Sequence, residues 1–149
     1  MKLCSVCQKS DLLCSGCSKK LERGEITETD VKISRSLAKL DVEAEYFKVV
    51  EDDRSIIIIT DKDHTRSMIG RGGKVTRQLS VDLGKEVRVI EKADDKQMIE
   101  KVIRSQVIGI NVLYGNGEKY RIRMQRTRQR VSTIILSAIL GKNVEVVFE

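Results

Sequence analysis

Proline and tryptophan are absent from this 149-residue sequence, histidine occurs once, and aromatic residues make up only 3%. No Ser/His/Asp order, P-loop or paired-carboxylate motif stands out. The lone His64, flanked by Asp61 and Asp63, reads as the start of a helix rather than an acid–base centre, so no enzyme is expected. With so few rings to stack on, any nucleic-acid partner would have to be held by backbone and aliphatic contacts. No apolar run approaches the roughly 20 residues of a membrane span, and the first residues lack the pattern of a secretory signal. A cytoplasmic protein with no membrane partner is expected. What the sequence does have is 40% hydrophobic and 34% charged residues. That balance predicts a folded chain of one or two small domains, and its Ile/Val and Lys/Arg/Glu richness is compatible with a thermophile.

Acids are missing from one stretch where bases are dense. Lys119, Arg121, Arg123, Arg126, Arg128 and Arg130 follow one another without a carboxylate between them. Without these six of the 28 Lys and Arg, the basic residues equal the 22 acidic ones, so the whole net charge of +6 resides there. A patch this concentrated points to an anionic partner, nucleic acid first, although charge runs also serve as solvated faces.

Cysteine is confined to the N-terminus, as Cys4-x-x-Cys7 and Cys14-x-x-Cys17. Two such knuckles six residues apart can close around one tetrahedral metal, and four thiolates leave no open position for chemistry. Zn2+ in one structural site is expected. Two disulfides do not suit a reducing cytoplasm, and an iron–sulfur cluster is the sharper rival for the same four ligands. Lys9, Lys19 and Lys20 would offset the thiolate charge, and Gly16 would ease the second knuckle's turn. A segment of about 20 residues cannot bury a core unaided, so the metal would be structural.

Downstream, Thr27 with Asp30 makes a capping box, and Val31, Ser34, Leu37 and Ala38 share one helix face. Tyr46 to Val50 alternates as a strand. Ile56 to Ile59 reads as a buried central strand because neither face is polar. Asp61 or Asp63 can cap a short helix leading into Met68-Ile69-Gly70-Arg71-Gly72-Gly73-Lys74-Val75. The glycines of this G-x-x-G turn let a ligand approach the backbone, and the turn feeds the N-terminus of a helix, Lys74 to Leu83, where free N–H groups favour an anion. Arg71 and Lys74 add positive charge. A helix corner with glycines used only for geometry is the plainer alternative. A strand, Glu86 to Ile90, follows.

The segment from Ile56 to Glu91, and the wording Met68-Ile-Gly-Arg-Gly-Gly-Lys-Val-Thr-Arg-Gln-Leu79 with Leu83-Gly-Lys-Glu-Val-Arg-Val-Ile90 in particular, resembles the KH domains of the NusA transcription factor family, archaeal NusA-like proteins above all. The order helix, strand, strand, helix, helix, strand is that of a type II KH domain. The family usually places an aliphatic residue three positions after the last glycine, where this chain has Thr76. The resemblance implies single-stranded RNA as ligand, about four nucleotides long, and a role in transcription elongation or termination.

After Ala93-Asp94-Asp95 the pattern begins again. Asp94 with Gln97 caps a helix striped by Met98, Ile99, Val102 and Ile103. Two strands, Val107 to Tyr114 and Lys119 to Met124, flank Gly115-Asn116-Gly117, a strong hairpin signal. Val131, Ile134, Ile135, Ala138 and Ile139 are spaced for one helix face. Leu140-Gly141-Lys142-Asn143-Val144-Glu145-Val146-Val147 then repeats residues 83–90 at an offset of 57. No G-x-x-G lies between Met124 and Val131, so the second unit reads as a degenerate KH-like domain with its first helix shortened or lost.

The sequence therefore predicts an α+β protein: a Cys4 zinc-binding module at 1–24, a type II KH domain at 25–92 and a degenerate KH-like domain at 93–149. RNA would be held by Ile69, Gly70, Arg71, Gly72, Gly73, Lys74 and Arg77 and by Arg121, Arg123, Arg126, Arg128 and Arg130, with Ile69, Val75 and a strand edge as an apolar floor for bases. Tyr120, Ile122 and Met124 should face the core and turn Arg121 and Arg123 outward. The metal ligands would be Cys4, Cys7, Cys14 and Cys17. RNA polymerase and ribosomal particles are the candidate larger assemblies, and ribosome assembly, RNA processing or a zinc-dependent adaptor role are the alternatives.

Overall fold

The computed structural model describes residues 3–115, 118–126 and 131–149. Two short helices, α1 (Ser5–Gln8) and α2 (Ser15–Glu22), precede α3 (Glu28–Lys39). Next come β1 (Lys48–Glu51), β2 (Ser55–Thr60), α4 (Lys62–Ile69), α5 (Lys74–Leu83) and β3 (Glu86–Glu91). The chain continues with α6 (Asp95–Ile103), β4 (Val107–Leu113), β5 (Lys119–Met124), α7 (Thr133–Leu140) and β6 (Asn143–Phe148). The class is α+β, with two three-stranded sheets ordered β1-β2-β3 and β4-β5-β6.

Local chemistry explains most of the boundaries. The capping box at Thr27 is made in both directions: Thr27 accepts from the Asp30 amide, and the Asp30 carboxylate accepts from the Thr27 amide at 2.9 Å. Asp61 caps α4 by accepting from the His64 amide, and Asp94 caps α6 by accepting from the Gln97 amide. Gly84 and Gly141 close α5 and α7 in the left-handed conformation, at φ +70 and +69, where a residue with a Cβ would be strained. Strand β1 starts at Lys48 rather than at the expected Tyr46. The Tyr46 ring is buried and its hydroxyl is committed to Asp30 at 2.6 Å.

The two sheets share one plan. In each, the first strand runs antiparallel to the middle one and the last runs parallel to it. Strands β3 and β6 stand 57 residues apart, the offset of the sequence repeat. Among the described residues no helix lies between β5 and α7, where the first unit has α4 between β2 and α5. The expected turn at Gly115-Asn116-Gly117 falls partly outside the described residues.

Burial shows how the units stack. On one face of the first sheet, Ile56, Ile58 and Val87 meet Ile33, Leu37, Met68, Val75 and Leu79 of α3, α4 and α5. On the other face, Val50, Ile57, Ile59 and Ile90 meet Met98 of α6 and Ile135, Ala138 and Ile139 of α7. The far sides of α6 and α7 contribute Ile99, Ile103 and Leu136 to a third cluster with Val107, Ile122 and Met124 of the second sheet. The order of layers is helices, sheet, helices, sheet. Arg88 of β3 fastens the middle, donating to the carbonyls of Val102 and Lys101 at the end of α6. Lys48 of β1 donates to the carbonyl of Ala138 in α7.

The α7 face differs from the one expected. Ile134 is 60% exposed, while Leu136, left out of the predicted stripe, is fully buried, and Val131 precedes the helix. A helix pressed between two sheets buries two sides, so a single stripe does not describe it.

Candidate metal centre and candidate nucleic-acid interface

Each C-x-x-C knuckle begins on the residue that precedes a short helix, Cys4 before α1 and Cys14 before α2. The four sulfurs lie within 4.8 Å of one another, with Cys4 and Cys14 Sγ 4.0 Å apart. A tetrahedron with metal–sulfur bonds of about 2.3 Å has sulfur–sulfur edges of about 3.8 Å. The donor set therefore fits one thiophilic cation with little adjustment. Amides already point at the sulfurs: Cys14 N donates to Cys7 Sγ at 3.1 Å and Cys17 N to Cys14 Sγ at 3.4 Å.

The thiols are polarised unequally. The Cys7 amide, and then the Cys7 thiol, lower the exposed Cys4 to about 6. The Cys17 amide and the Cys7 thiol lower Cys14. The Cys14 amide pulls on Cys7, but burial and the three neighbouring thiols outweigh it and push Cys7 up to about 12. A cluster of this kind exchanges protons for a cation, since the ligand is the thiolate. Gly16 has no special part in the turn. It lies inside α2 without a positive φ, and a Cβ there would meet Cys14 Sγ at 3.9 Å, an ordinary van der Waals distance.

The module leans on the next helix. Leu3, Cys7 and Cys17 share a cluster with Ile26 and with Val31 of α3. Arg35 of α3 donates from Nε to the Cys7 carbonyl at 3.4 Å. The sequence pointed to Lys9, Lys19 and Lys20 as counter-charges, and all three are exposed. Arg35 lies 28 residues from Cys7, and nothing local signals that approach.

The second candidate is the turn from Gly70 to Gly73. Gly70 has φ +77 and ψ 172, and a Cβ there would stand 2.5 Å from Val75 Cγ2 and 2.9 Å from the Val75 amide nitrogen. Gly72, at φ +63, faces open space. Gly73 precedes α5 in the left-handed conformation and offers no side chain to its first amides. Side chains of Cys14, Thr27, Asp61, Asp94 and Ser132 cap the other helices of eight residues or more, so among these α5 alone is uncapped. Arg71, Lys74 and Arg77 are exposed around it, with no carboxylate partner among the described residues. The Thr76 hydroxyl, where an aliphatic side chain was the expected pattern, donates to the Gly73 carbonyl at 3.0 Å.

One expectation at this turn changes. Val75 is buried beneath Gly70 in the core and cannot be a floor for bases, while Ile69 remains half-buried. His64 is occupied at the start of α4, its Nδ1 2.9 Å from Asp61 Oδ1, an interaction that lowers the Asp61 carboxyl.

The basic stretch divides. Ile122 and Met124 face the core as expected and Tyr120 is half-buried, which turns Arg121 and Arg123 to the outer face of the second sheet. Both arginines are paired there: Arg121 Nε with Glu145 at 3.1 Å and Arg123 Nε with Glu149 at 2.8 Å. That face lies at the opposite end of the layer stack from α4 and α5. Arg126 is exposed, and Arg128 and Arg130 lie outside the described residues.

The fold has a solved likeness, the structure described as "Crystal structure of APE1850". It has a TM-score of 0.59 and 20% identity over 79% of this chain and 95% of that one. At that identity the likeness concerns the fold. No family model and no curated protein matches the sequence. Among the described residues no helix is long and apolar enough to cross a membrane.

Proposed function

We propose that this protein binds single-stranded RNA through a type II KH unit whose phosphate cradle is the Gly70–Gly73 turn, and that it acts without catalysing a reaction. The observation that carries the reading is the uncapped N-terminus of α5 beside exposed Arg71, Lys74 and Arg77. Free amides at a helix start, the positive end of its dipole and unpaired cations together suit a phosphodiester. The helix–strand–strand–helix–turn–helix–strand order is compatible with a type II KH unit, and the second sheet with its two helices is read as the degenerate copy.

The Met68–Leu79 wording supports a NusA-like role in transcription elongation or termination in the cytoplasm, with RNA polymerase as the larger assembly. In the competing assignment, ribosome assembly or RNA processing, the protein would accompany ribosomal particles instead. The four-cysteine centre is read as a structural Zn2+ site, since it has four thiolates and no open ligand position.

The test is RNA binding by the Arg71→Asp/Gly72→Asp variant. Gly72 faces open space, so the fold should survive while carboxylates repel phosphate. Loss of most single-stranded RNA affinity is expected. Equal affinity in a folded variant overturns the cradle. Crosslinking in cells, followed by RNA sequencing and identification of co-purifying particles, separates the transcription and ribosome assignments.

A further inference from the structure

Arg35 is half-buried, and its Nη2 is buried with no hydrogen-bond partner among the described residues. Its Nε is engaged with the Cys7 carbonyl at 3.4 Å. A guanidinium is planar, and its Nε–H and one Nη2–H point the same way from one edge. The orphaned donor therefore shares the edge that faces the Cys7 knuckle. A buried, unpaired guanidinium nitrogen is costly unless an anion or acceptor meets it. With the cation bound, four thiolates around a divalent ion leave a net charge of −2, and Cys7 and Cys17, the buried pair, are screened from solvent.

On the reading that the four cysteines hold a divalent thiophilic cation, we propose that Arg35 is the positioning residue of that centre: it supplies the buried counter-charge to the metal–thiolate cluster and sets its affinity for metal. The three exposed lysines cannot substitute, because water screens them. The same side chain ties the centre to α3, whose Ile33 and Leu37 lie in the core with Val75 and Leu79 of α5. Outer-shell donors of this kind are typically worth 10–100-fold in metal affinity.

The full chain is titrated with Co2+, read by thiolate absorption, and its Zn2+ affinity is measured against a chromophoric chelator, for the wild type, Arg35→Met and Arg35→Lys. Met keeps the apolar stem and removes the charge. Lys keeps the charge and loses the fork. The expected result is Zn2+ affinity about 10–100-fold weaker in Arg35→Met, with partial recovery in Arg35→Lys. Melting of the metal-free and metal-loaded forms separates this from a tether. Weaker binding makes the metal-loaded form lose more stability than the metal-free form, whereas a tether lowers both equally. Unchanged affinity in Arg35→Met, or equal losses in both forms, overturns the role of Arg35 while leaving the metal centre intact. A wild type that takes up no Co2+ overturns the centre and, with it, this proposal.

Discussion

A Cβ on Gly70 would stand 2.5 Å from Cγ2 of Val75. The turn is therefore folded down onto the second side chain of α5, and Gly70 differs in kind from Gly72. Gly70→Ala meets both the clash and a backbone conformation closed to other residues, and should cost about 1–3 kcal/mol. Gly72→Ala meets no atom within 4 Å, so its cost is limited to its positive φ, about 1 kcal/mol. Denaturant melts of the two single variants check the order, and a Gly70→Ala protein as stable as Gly72→Ala would contradict it.

The cations around this turn should account for the salt dependence. If Arg71, Lys74 and Arg77 each neutralise a phosphate, every one changed to Gln removes about 0.7 from the log-affinity versus log-salt slope, roughly two units for all three. Arg121→Gln with Arg123→Gln should leave the slope nearly unchanged, because both guanidiniums are held by Glu145 and Glu149. Salt titrations of RNA binding decide between the clusters. A slope that flattens only in the second variant would move the RNA path to the outer sheet.

The bond from the Tyr46 hydroxyl to Asp30, 2.6 Å long, joins the segment two residues before β1 to the capping box of α3. Tyr46→Phe leaves a buried carboxylate oxygen short of a donor and should cost about 1–3 kcal/mol. Burial first, and then the bond to Asp30 and its negative charge, hold the Tyr46 phenol well above its ordinary range. The neutral ring is thus the folded form. Its contribution is complete below about pH 10, the ordinary tyrosine value, and declines as pH rises from there toward the folded value. Unfolding free energies at pH 8 to 11 should fall less steeply in Tyr46→Phe than in the wild type.

Removing the metal should be felt beyond the knuckles. Ile26 and Val31 are buried against Leu3, Cys7 and Cys17, so chelation or Cys14→Ser should lower the melting temperature and speed amide exchange in the first half of α3. Amides of β2 and β3, sealed between two helical layers, should stay protected. Exchange that spreads evenly through both sheets would mean that the module and the first sheet unfold as one.

The punctuation of this fold was legible in sequence because it is local. Thr27 with Asp30, Asp94 with Gln97, and the glycines at 84 and 141 act within one turn of the backbone, and the four-cysteine spacing states its own geometry. The all-isoleucine run of β2 announced burial on both faces, yet nothing in it named α6 and α7 as the cover. That packing joins residues 57 and 135, and the same distance in sequence hid the true face of α7, where Ile134 and Leu136 differ in burial but not in hydrophobicity. The ion pairs of Arg121 and Arg123 escaped for a related reason. Their partners arrive on and just after β6, more than 20 residues later, so a run without acids became a surface with acids.

Register makes the outer face of the second sheet the counterpart of the face that α6 and α7 cover on the first. Arg121, Arg123 and Glu145 stand where Ile57, Ile59 and Arg88 stand in the earlier unit. One substituted ladder puts an ion pair where the first sheet has an apolar face. Crossed charges make this face expensive to desolvate, whereas the isoleucines at the same register of the first sheet are buried under α6 and α7. Isoleucine at 121 and 123 would make that face apolar like its counterpart, and the chain would then be expected to self-associate, visible as concentration-dependent sedimentation.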